Sequence, residues 1–322
     1  MPKVLITGCA GFIGYKVCEI FLKNKYEVIG IDNFDPYYDI SLKEYRIEQL
    51  RNYENFNFIL CDIRDKEVLR NIFRIYEFES VINLSAKAGV RASIINPREY
   101  FEVNVLGTLN LLELMREFRV NKFILASTSS IYAGHNPPFS EELKCDEMIS
   151  PYAVSKKSAE NLVYNYYYLY GINATILRYF TVYGPAGRPD MSIFRFLYFA
   201  IKDEEITVYG NGTQRRSFSY IDDIAYGTFL AYNLKNFQIV NLGNDEDNCV
   251  NEVLDIIKNF LSKELKIKYE PFHKADIYET KADITKAKKL LNWKPKIKIK
   301  EGIENTLNWF LENRKLIDKL KI

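Results

Sequence analysis

The segment Lys3-Val4-Leu5-Ile6-Thr7 runs into Gly8-Cys9-Ala10-Gly11-Phe12-Ile13-Gly14, and no other stretch of the chain restricts its fold as strongly. The β-branched run predicts a strand over 3–8, and the apolar spacing beyond it predicts a helix over 12–24. Between them the spacing is G-x-x-G-x-x-G. A turn without Cβ atoms lets the backbone approach a ligand, and the following helix aims free N–H groups and a partial positive charge at it. A pyrophosphate suits that chemistry, and strand–turn–helix is the context of a dinucleotide unit. The other reading is three plain turn formers. A second predicted strand, 27–32, ends in Ile31-Asp32-Asn33. There a carboxylate accepts hydrogen bonds from adenosine ribose hydroxyls and repels a 2′-phosphate, so NAD is expected over NADP. Alternatively, Asp32 is only the turn residue that ends a strand. Asp62 and Ile63, closing a third strand, are candidate contacts to adenine.

Further strands are expected at 56–62, 80–85, 122–127 and 173–179, with helices such as 65–76 between them; Asp65 reads as the N-cap of that helix. This alternation implies an α/β chain with a Rossmann-type, doubly wound parallel sheet. After about residue 180, Gly, Pro and Asn become frequent. The expected division is a dinucleotide-binding domain over 1–180 and a smaller substrate-binding lobe over 181–322, with some segments returning to the first domain. The basic run 286–300 reads as a solvated helix and strand face. Ile303, Leu307, Phe310 and Leu311 fit one face of a closing helix.

Lys plus Arg is 44 and Asp plus Glu is 42, which gives no electrostatic reason to expect nucleic acid or an anionic membrane as partner. No apolar run is long enough for a membrane helix, and the N-terminus lacks the form of a signal peptide. The five cysteines form no C-x-x-C pair, so a reducing cytoplasm is expected. The two histidines, His135 and His273, sit in no zinc or triad motif, and no metal is expected.

Tyr152-Ala153-Val154-Ser155-Lys156 places a tyrosine and a lysine four apart in a predicted helix, on one face. A phenol with a pKa near ~10 is a poor base at neutral pH. A neighbouring ammonium and an oxidised nicotinamide favour the phenolate, which can then take a proton from a hydroxyl as hydride leaves the same carbon. Lys156 is also placed to bond the nicotinamide ribose. Just upstream, Ser127-Thr128-Ser129-Ser130 follows a predicted parallel strand, at the carboxyl end where open α/β sheets bind ligands. The alternatives are a chance spacing in a chain of 24 tyrosines, and hydroxyls that only cap the strand.

These residues resemble the extended short-chain dehydrogenase/reductase family, and within it the UDP-glucuronate 4-epimerases. The resemblance spans nearly the whole chain. It includes Gly30-Ile31-Asp32-Asn33 with Tyr37-Tyr38-Asp39, Asn83 to Arg91, Asn104 to Thr108, and Ser127 to Tyr132 with the Tyr-Lys pair. It continues through Arg178 to Pro185, Gly187 to Met191, Arg216 to Asp223, and Asn292 to Pro295. It implies inversion at carbon 4 of a UDP-sugar, UDP-glucuronate to UDP-galacturonate, through a transient 4-keto intermediate. The implied catalytic residues are Tyr152, Lys156 and Thr128. NAD contacts are implied at Gly8, Gly11, Phe12, Ile13, Gly14, Asp32, Asn33, Asp62, Ile63, Leu84, Ala86, Lys87, Asn104, Ser127, Tyr152, Lys156 and Tyr179. Substrate contacts are implied at Gly89, Arg91, Thr128, Ser129, Ser130, Thr181, Arg188, Tyr209, Arg216 and Asp276. Arg188 is the expected reader of the uronate carboxylate, because a guanidinium suits a carboxylate bidentately; the alternative is a surface arginine in a loop. Arg216 is expected at the diphosphate, Tyr209 near the uracil, and a homodimer through helices near 98–118 and 151–170.

The chain departs from the pattern at Cys9, at Ile131-Tyr132-Ala133-Gly134 and at His273-Lys274-Ala275-Asp276. Ser129-Ser130 stands where sugar-nucleotide dehydratases and decarboxylases carry carboxylates, which argues against both reactions. A UDP-glucose or UDP-N-acetylglucosamine 4-epimerase is the nearest rival. A non-catalytic NAD-binding regulator on the same fold is the rival of another class.

Overall fold

The computed structural model of the chain describes residues 1–272 and 276–322. His273, Lys274 and Ala275, singled out above, lie outside the described residues. Seven parallel strands form the main sheet: β1 (Lys3–Thr7), β2 (Glu27–Asp32), β3 (Phe56–Leu60), β4 (Ser80–Asn83), β5 (Lys122–Thr128), β6 (Asn173–Tyr179) and β7 (Phe237–Leu242). Their spatial order is β7-β6-β5-β4-β1-β2-β3. The order reverses between β1 and β4, and that switch point is where such sheets open a crevice at the carboxyl ends of their strands.

Helices cover both faces, and the strand pleat sorts the core between them. On β1, Val4 and Ile6 enter one buried cluster while Leu5 enters the other. On β5, Ile124 goes to the first face, and Phe123 and Leu125 to the second. The expected strands are present, with β3 and β4 ending two residues early. Asp62 turns the chain out of β3 by accepting the Arg64 N–H at 2.8 Å.

Helix α1 (Phe12–Lys23) follows the glycine turn. Helix α2 (Ser41–Leu50) was not anticipated. Its buried face carries Lys43 and Arg46 beside Leu42, Ile47 and Leu50, so apolar periodicity alone conceals it. Helix α3 (Lys66–Ile75) is capped by Asp65, whose carboxylate accepts the Val68 N–H at 3.1 Å. The helix expected near 98–118 is a composite of Pro97–Phe101, a π-helical turn at Glu102–Gly107, and α4 (Thr108–Glu117). Helix α5 (Pro151–Tyr170) starts at Ser150, which accepts the Ala153 N–H, and stops at Gly171 in the left-handed conformation.

Beyond residue 180 some segments return to the first part of the chain. Strand β7 returns to the main sheet beside β6, and α6 (Ile221–Ala231) docks on α1. Smaller sheets pair Thr181–Tyr183 with Phe218–Tyr220, Ile206–Tyr209 with Ile267–Glu270, and Arg215–Arg216 with both Asn248–Cys249 and Glu279–Thr280. The basic run differs from expectation. Residues 285–291 are helical, but 292–298 form no strand; Trp293 is buried there and donates to the Asp223 carbonyl at 2.9 Å. In the closing helix, Ile299–Glu312, Leu311 is 54% exposed and Thr306 takes an inward place. Among the described residues no helix is long and apolar enough to cross a membrane.

Candidate active site

The glycine turn is packed against the loop after β4. Gly8 has φ +70, and a Cβ built on it would lie 2.8 Å from the Leu84 carbonyl carbon and the Ser85 nitrogen. A Cβ on Gly14 would lie 2.0 Å from the Gly8 oxygen. These two contacts explain why side chains are excluded there: α1 can pack on the turn, and its N-terminus can open toward the crevice, only without them.

A cleft of about 390 Å³ lies over this turn, within the range usual for small-molecule sites. Of the residues expected at the cofactor, Gly8, Gly11, Phe12, Ile13, Gly14, Asp32, Asn33, Asp62, Ile63, Leu84, Ala86, Lys87, Ser127, Tyr152, Lys156 and Tyr179 line it. Asn104 differs from the others. It is 1% exposed and does not line the cleft. Its side chain accepts the Lys87 N–H at 2.8 Å and donates to the Lys87 carbonyl and the Ser155 hydroxyl. It therefore ties the loop after β4 to α5, from within the π-helical turn.

Several expected contacts already have internal partners. Asp32 accepts the N–H groups of Ala10 at 3.2 Å and Phe34 at 2.9 Å, and lies 3.3 Å from the Lys43 ammonium. The carboxylate expected at the ribose thus lies beside a buried lysine. Burial pushes the Asp62 carboxyl up, but hydrogen bonds from the Arg64 side chain and backbone N–H and from Asn33, with the Arg64 charge, hold it below the ordinary range. Lys87 is paired with Asp35 and Glu99 at 2.9 and 2.8 Å. Ser127 donates to Glu160 at 2.7 Å, and Glu160 is held by Arg178 through two further bonds. Tyr179 is bonded to the Thr228 hydroxyl.

Tyr152 and Lys156 both face the cleft from α5, beside Thr128 at the end of β5. Burial raises the Tyr152 phenol above its ordinary value, while the Thr128 hydroxyl and the field of Arg188 pull it down. Arg188 is thus a second cation at the phenol, beside the Lys156 that the spacing places on the same face. Lys156 is 3% exposed, and burial lowers its ammonium to about 8, with Glu160 opposing. Tyr100 meets Tyr152 edge to face, with centroids 6.1 Å apart.

The expected substrate contacts fall in two places. Gly89, Thr128, Ser129, Ser130, Thr181 and Arg188 line the same cleft. Arg188 does not sit there alone: Asp190 takes its guanidinium bidentately at 3.0 and 2.6 Å, and Tyr37 lies beneath it at 5.6 Å. Arg91, Tyr209, Arg216 and Asp276 do not line the cleft and form a second cluster. There Asp276 accepts from Arg91 at 2.5 Å, the Arg91 guanidinium stacks 3.9 Å from the Tyr209 ring, and the charge of Asp276 acts on Arg216. Asp35, Tyr37, Tyr38, Lys43 and Asp190 also line the cleft and were not singled out as site residues. A Lys and an Arg three apart on the apolar face of a helix is the one sequence signal that could have drawn attention to α2. Among the described residues no group of three or more His, Cys, Asp or Glu could hold a metal.

The fold and this cleft define a dinucleotide-dependent sugar-nucleotide enzyme class, and the chain belongs to the extended short-chain dehydrogenase/reductase family: the family model described as GDP-mannose 4,6 dehydratase matches residues 5–306. Within that family it is 51% identical, over the full length of both chains, to a UDP-glucuronate 4-epimerase of Thermodesulfobacterium geofontis. It is 35% identical to the crystal structure of a UDP-glucuronic acid 4-epimerase from Bacillus cereus in complex with UDP-glucuronic acid and NAD, with TM-score 0.92 over 96% of this chain and 99% of that one. It is 31% identical to a UDP-glucose 4-epimerase from Thermotoga maritima solved with UDP-glucose, with TM-score 0.90 over 97% and 99% of the two chains.

Proposed function

We propose that this protein is an NAD-dependent UDP-glucuronate 4-epimerase, which interconverts UDP-glucuronate and UDP-galacturonate through a 4-keto sugar nucleotide. The observation that carries the reading is the shared cleft: the glycine turn, the Tyr152–Lys156 pair and the Arg188 guanidinium all open into it. The residues fit the cofactor, because a Cβ on Gly8 or Gly14 would fill the cradle and Asp32 stands at the end of β2. Gly8 to Gly14 and the N-terminus of α1 hold the pyrophosphate, with Asp32 and Lys43 at the adenosine ribose. Bound NAD supplies a reversible hydride acceptor.

The chain's own groups do the rest. Tyr152 takes the proton of the hydroxyl at carbon 4 and later returns it, with Thr128 bonded to the reacting oxygen. Lys156, held in a dry site, offers a compact positive charge that favours the phenolate once the sugar excludes water. Arg188 meets the sugar carboxylate, displacing or sharing Asp190. Arg91, Arg216, Tyr209 and Asp276 gather at the nucleotide end. Residues 1–180 serve mainly the dinucleotide and 181–322 mainly the sugar nucleotide. A homodimer is part of this reading. Phe101, Leu106, Tyr164, Tyr168 and Leu169 leave apolar surface exposed on the helices at 97–117 and 151–170, and a monomeric mass in solution would remove that part.

A second reading, a UDP-glucose 4-epimerase, is favoured by one observation: Arg188 already has a carboxylate partner in Asp190. Incubation with UDP-glucuronate, UDP-glucose and UDP-N-acetylglucosamine separately tests the two. The expected outcome is UDP-galacturonate as the dominant product; a faster inversion of UDP-glucose would replace the first reading by the second.

A further inference from the structure

Arg46 of α2 is fully buried, and its guanidinium makes five hydrogen bonds, one for each N–H donor it possesses. Nε and Nη2 donate to the Ala186 carbonyl at 3.0 and 2.8 Å, and Nη2 also to the Gly187 carbonyl at 3.0 Å. Nη1 donates to the Ala10 carbonyl at 2.9 Å and to the Tyr38 hydroxyl at 2.7 Å. None of these acceptors is a carboxylate, and among the described residues Arg46 forms no ion pair. A buried cation in that condition is costly unless every donor is placed, so its geometry is demanding.

The acceptors join two loops that are far apart in sequence. Ala10 lies inside the glycine turn, and its own N–H is bonded to Asp32. Ala186 and Gly187 immediately precede Arg188. Ala186 has φ +53, a left-handed conformation that residues with a Cβ seldom adopt, and its carbonyl takes two of the five donors. The backbone that presents Arg188 is therefore bent into an unfavourable form and held there by a side chain from another element.

We infer that Arg46 is a positioning residue for substrate selectivity: it fixes the Arg188 loop against the dinucleotide turn, and so sets where the sugar carboxylate lies relative to the cofactor. This rests on the proposed role of Arg188. A residue that only anchored α2 in the core would, when changed, lower stability and impair every substrate alike.

A double-mutant cycle of Arg46→Lys and Arg188→Ala separates these roles, with KM and kcat measured for UDP-glucuronate and UDP-glucose, and NAD affinity by titration. Lysine keeps the charge but has too few donors to reach all four acceptors. The expected result for Arg46→Lys is a KM for UDP-glucuronate raised about tenfold, a kcat within about threefold, and a smaller change for UDP-glucose. In the Arg188→Ala background the same change adds less than about twofold. Adding Ala186→Gly to Arg46→Lys restores part of the KM, because glycine takes the left-handed form unaided. Equal losses on both sugars, independent effects in the cycle, or no rescue by glycine overturn the inference. Arg46→Gln replaces the lysine variant if that one does not fold. A wild type that ignores UDP-glucuronate sinks the proposed function instead. The cycle is then run on the sugar nucleotide that does turn over, where coupling of Arg46 to Arg188 supports the inference and additivity overturns it.

Discussion

The two ends of the cleft are built differently. The dinucleotide end is local: Gly8, Gly11 and Gly14 lie within one turn, and Asp32 ends the neighbouring strand. Its geometry follows from backbone clearance, since the spaces that a Cβ would occupy are already filled by Leu84, Ser85 and Gly8 itself. The sugar end is assembled from remote segments. Thr128 comes from β5, Tyr152 from α5 and Arg188 from a strained loop pinned by Arg46 of α2. There the arrangement depends on paired charges: Arg188 with Asp190 and Arg91 with Asp276, both partly exposed, and Glu160 with Arg178, fully buried. A site made of backbone clearance fails as a whole when one atom is added. A site made of paired charges degrades in steps, because each pair can be changed alone.

That contrast can be broken by measurement. The largest effect is expected at the local end. Gly14→Ala sets a Cβ 2.0 Å from the Gly8 oxygen, so the turn or α1 must move. NAD binding is expected to be lost in titration, with unfolding eased by about 2 kcal/mol or more. Retained NAD affinity in this variant would mean that the turn is not the cradle. Next comes Tyr152→Phe, which leaves the packing against Tyr100 in place and removes only the phenolic oxygen. Turnover is expected to fall by roughly 10²–10⁴ while NAD and sugar-nucleotide binding persist. Activity near wild type would take the role of base away from Tyr152.

The smallest effect sharpens the comparison instead. Lys156 has its ammonium lowered from 10.5 to about 8 by burial. Because the folded state holds this proton less tightly than the unfolded chain, the buried charge destabilises the fold below about pH 8. The penalty fades as pH rises from there toward 10.5, where the unfolded lysine also loses its proton. Lys156→Met is therefore expected to raise stability at pH 7 by about 1–3 kcal/mol, with little turnover, and the gain should shrink toward pH 10. A pH-independent gain, read from chemical denaturation at several pH values, would show that the lysine is not buried as a charge.

Much of this molecule was legible in its residues. The six strands read from β-branched runs occur at their expected places, because alternation on a buried parallel sheet leaves a dense local pattern. The glycine turn and the Tyr152–Lys156 spacing were legible for a similar reason: each is confined to a few consecutive residues. Helix α2 was not, since its inward face carries Lys43 and Arg46, charges that periodicity assigns to solvent. Nor were the hydrogen bonds of Asn104, whose partners Lys87 and Ser155 lie on other elements.

The amino-acid sequence on its own determined the sheet class, the dinucleotide turn and the positions of the phenol and the ammonium, because those depend on contacts within a strand, a turn or a helix. Only the tertiary structure decided that Arg188 adds its field at Tyr152, which carboxylate pairs with Arg188, and that Arg46 joins the two loops. Those outcomes depend on distances between segments as much as 141 residues apart, and such distances are set by packing rather than by any local pattern.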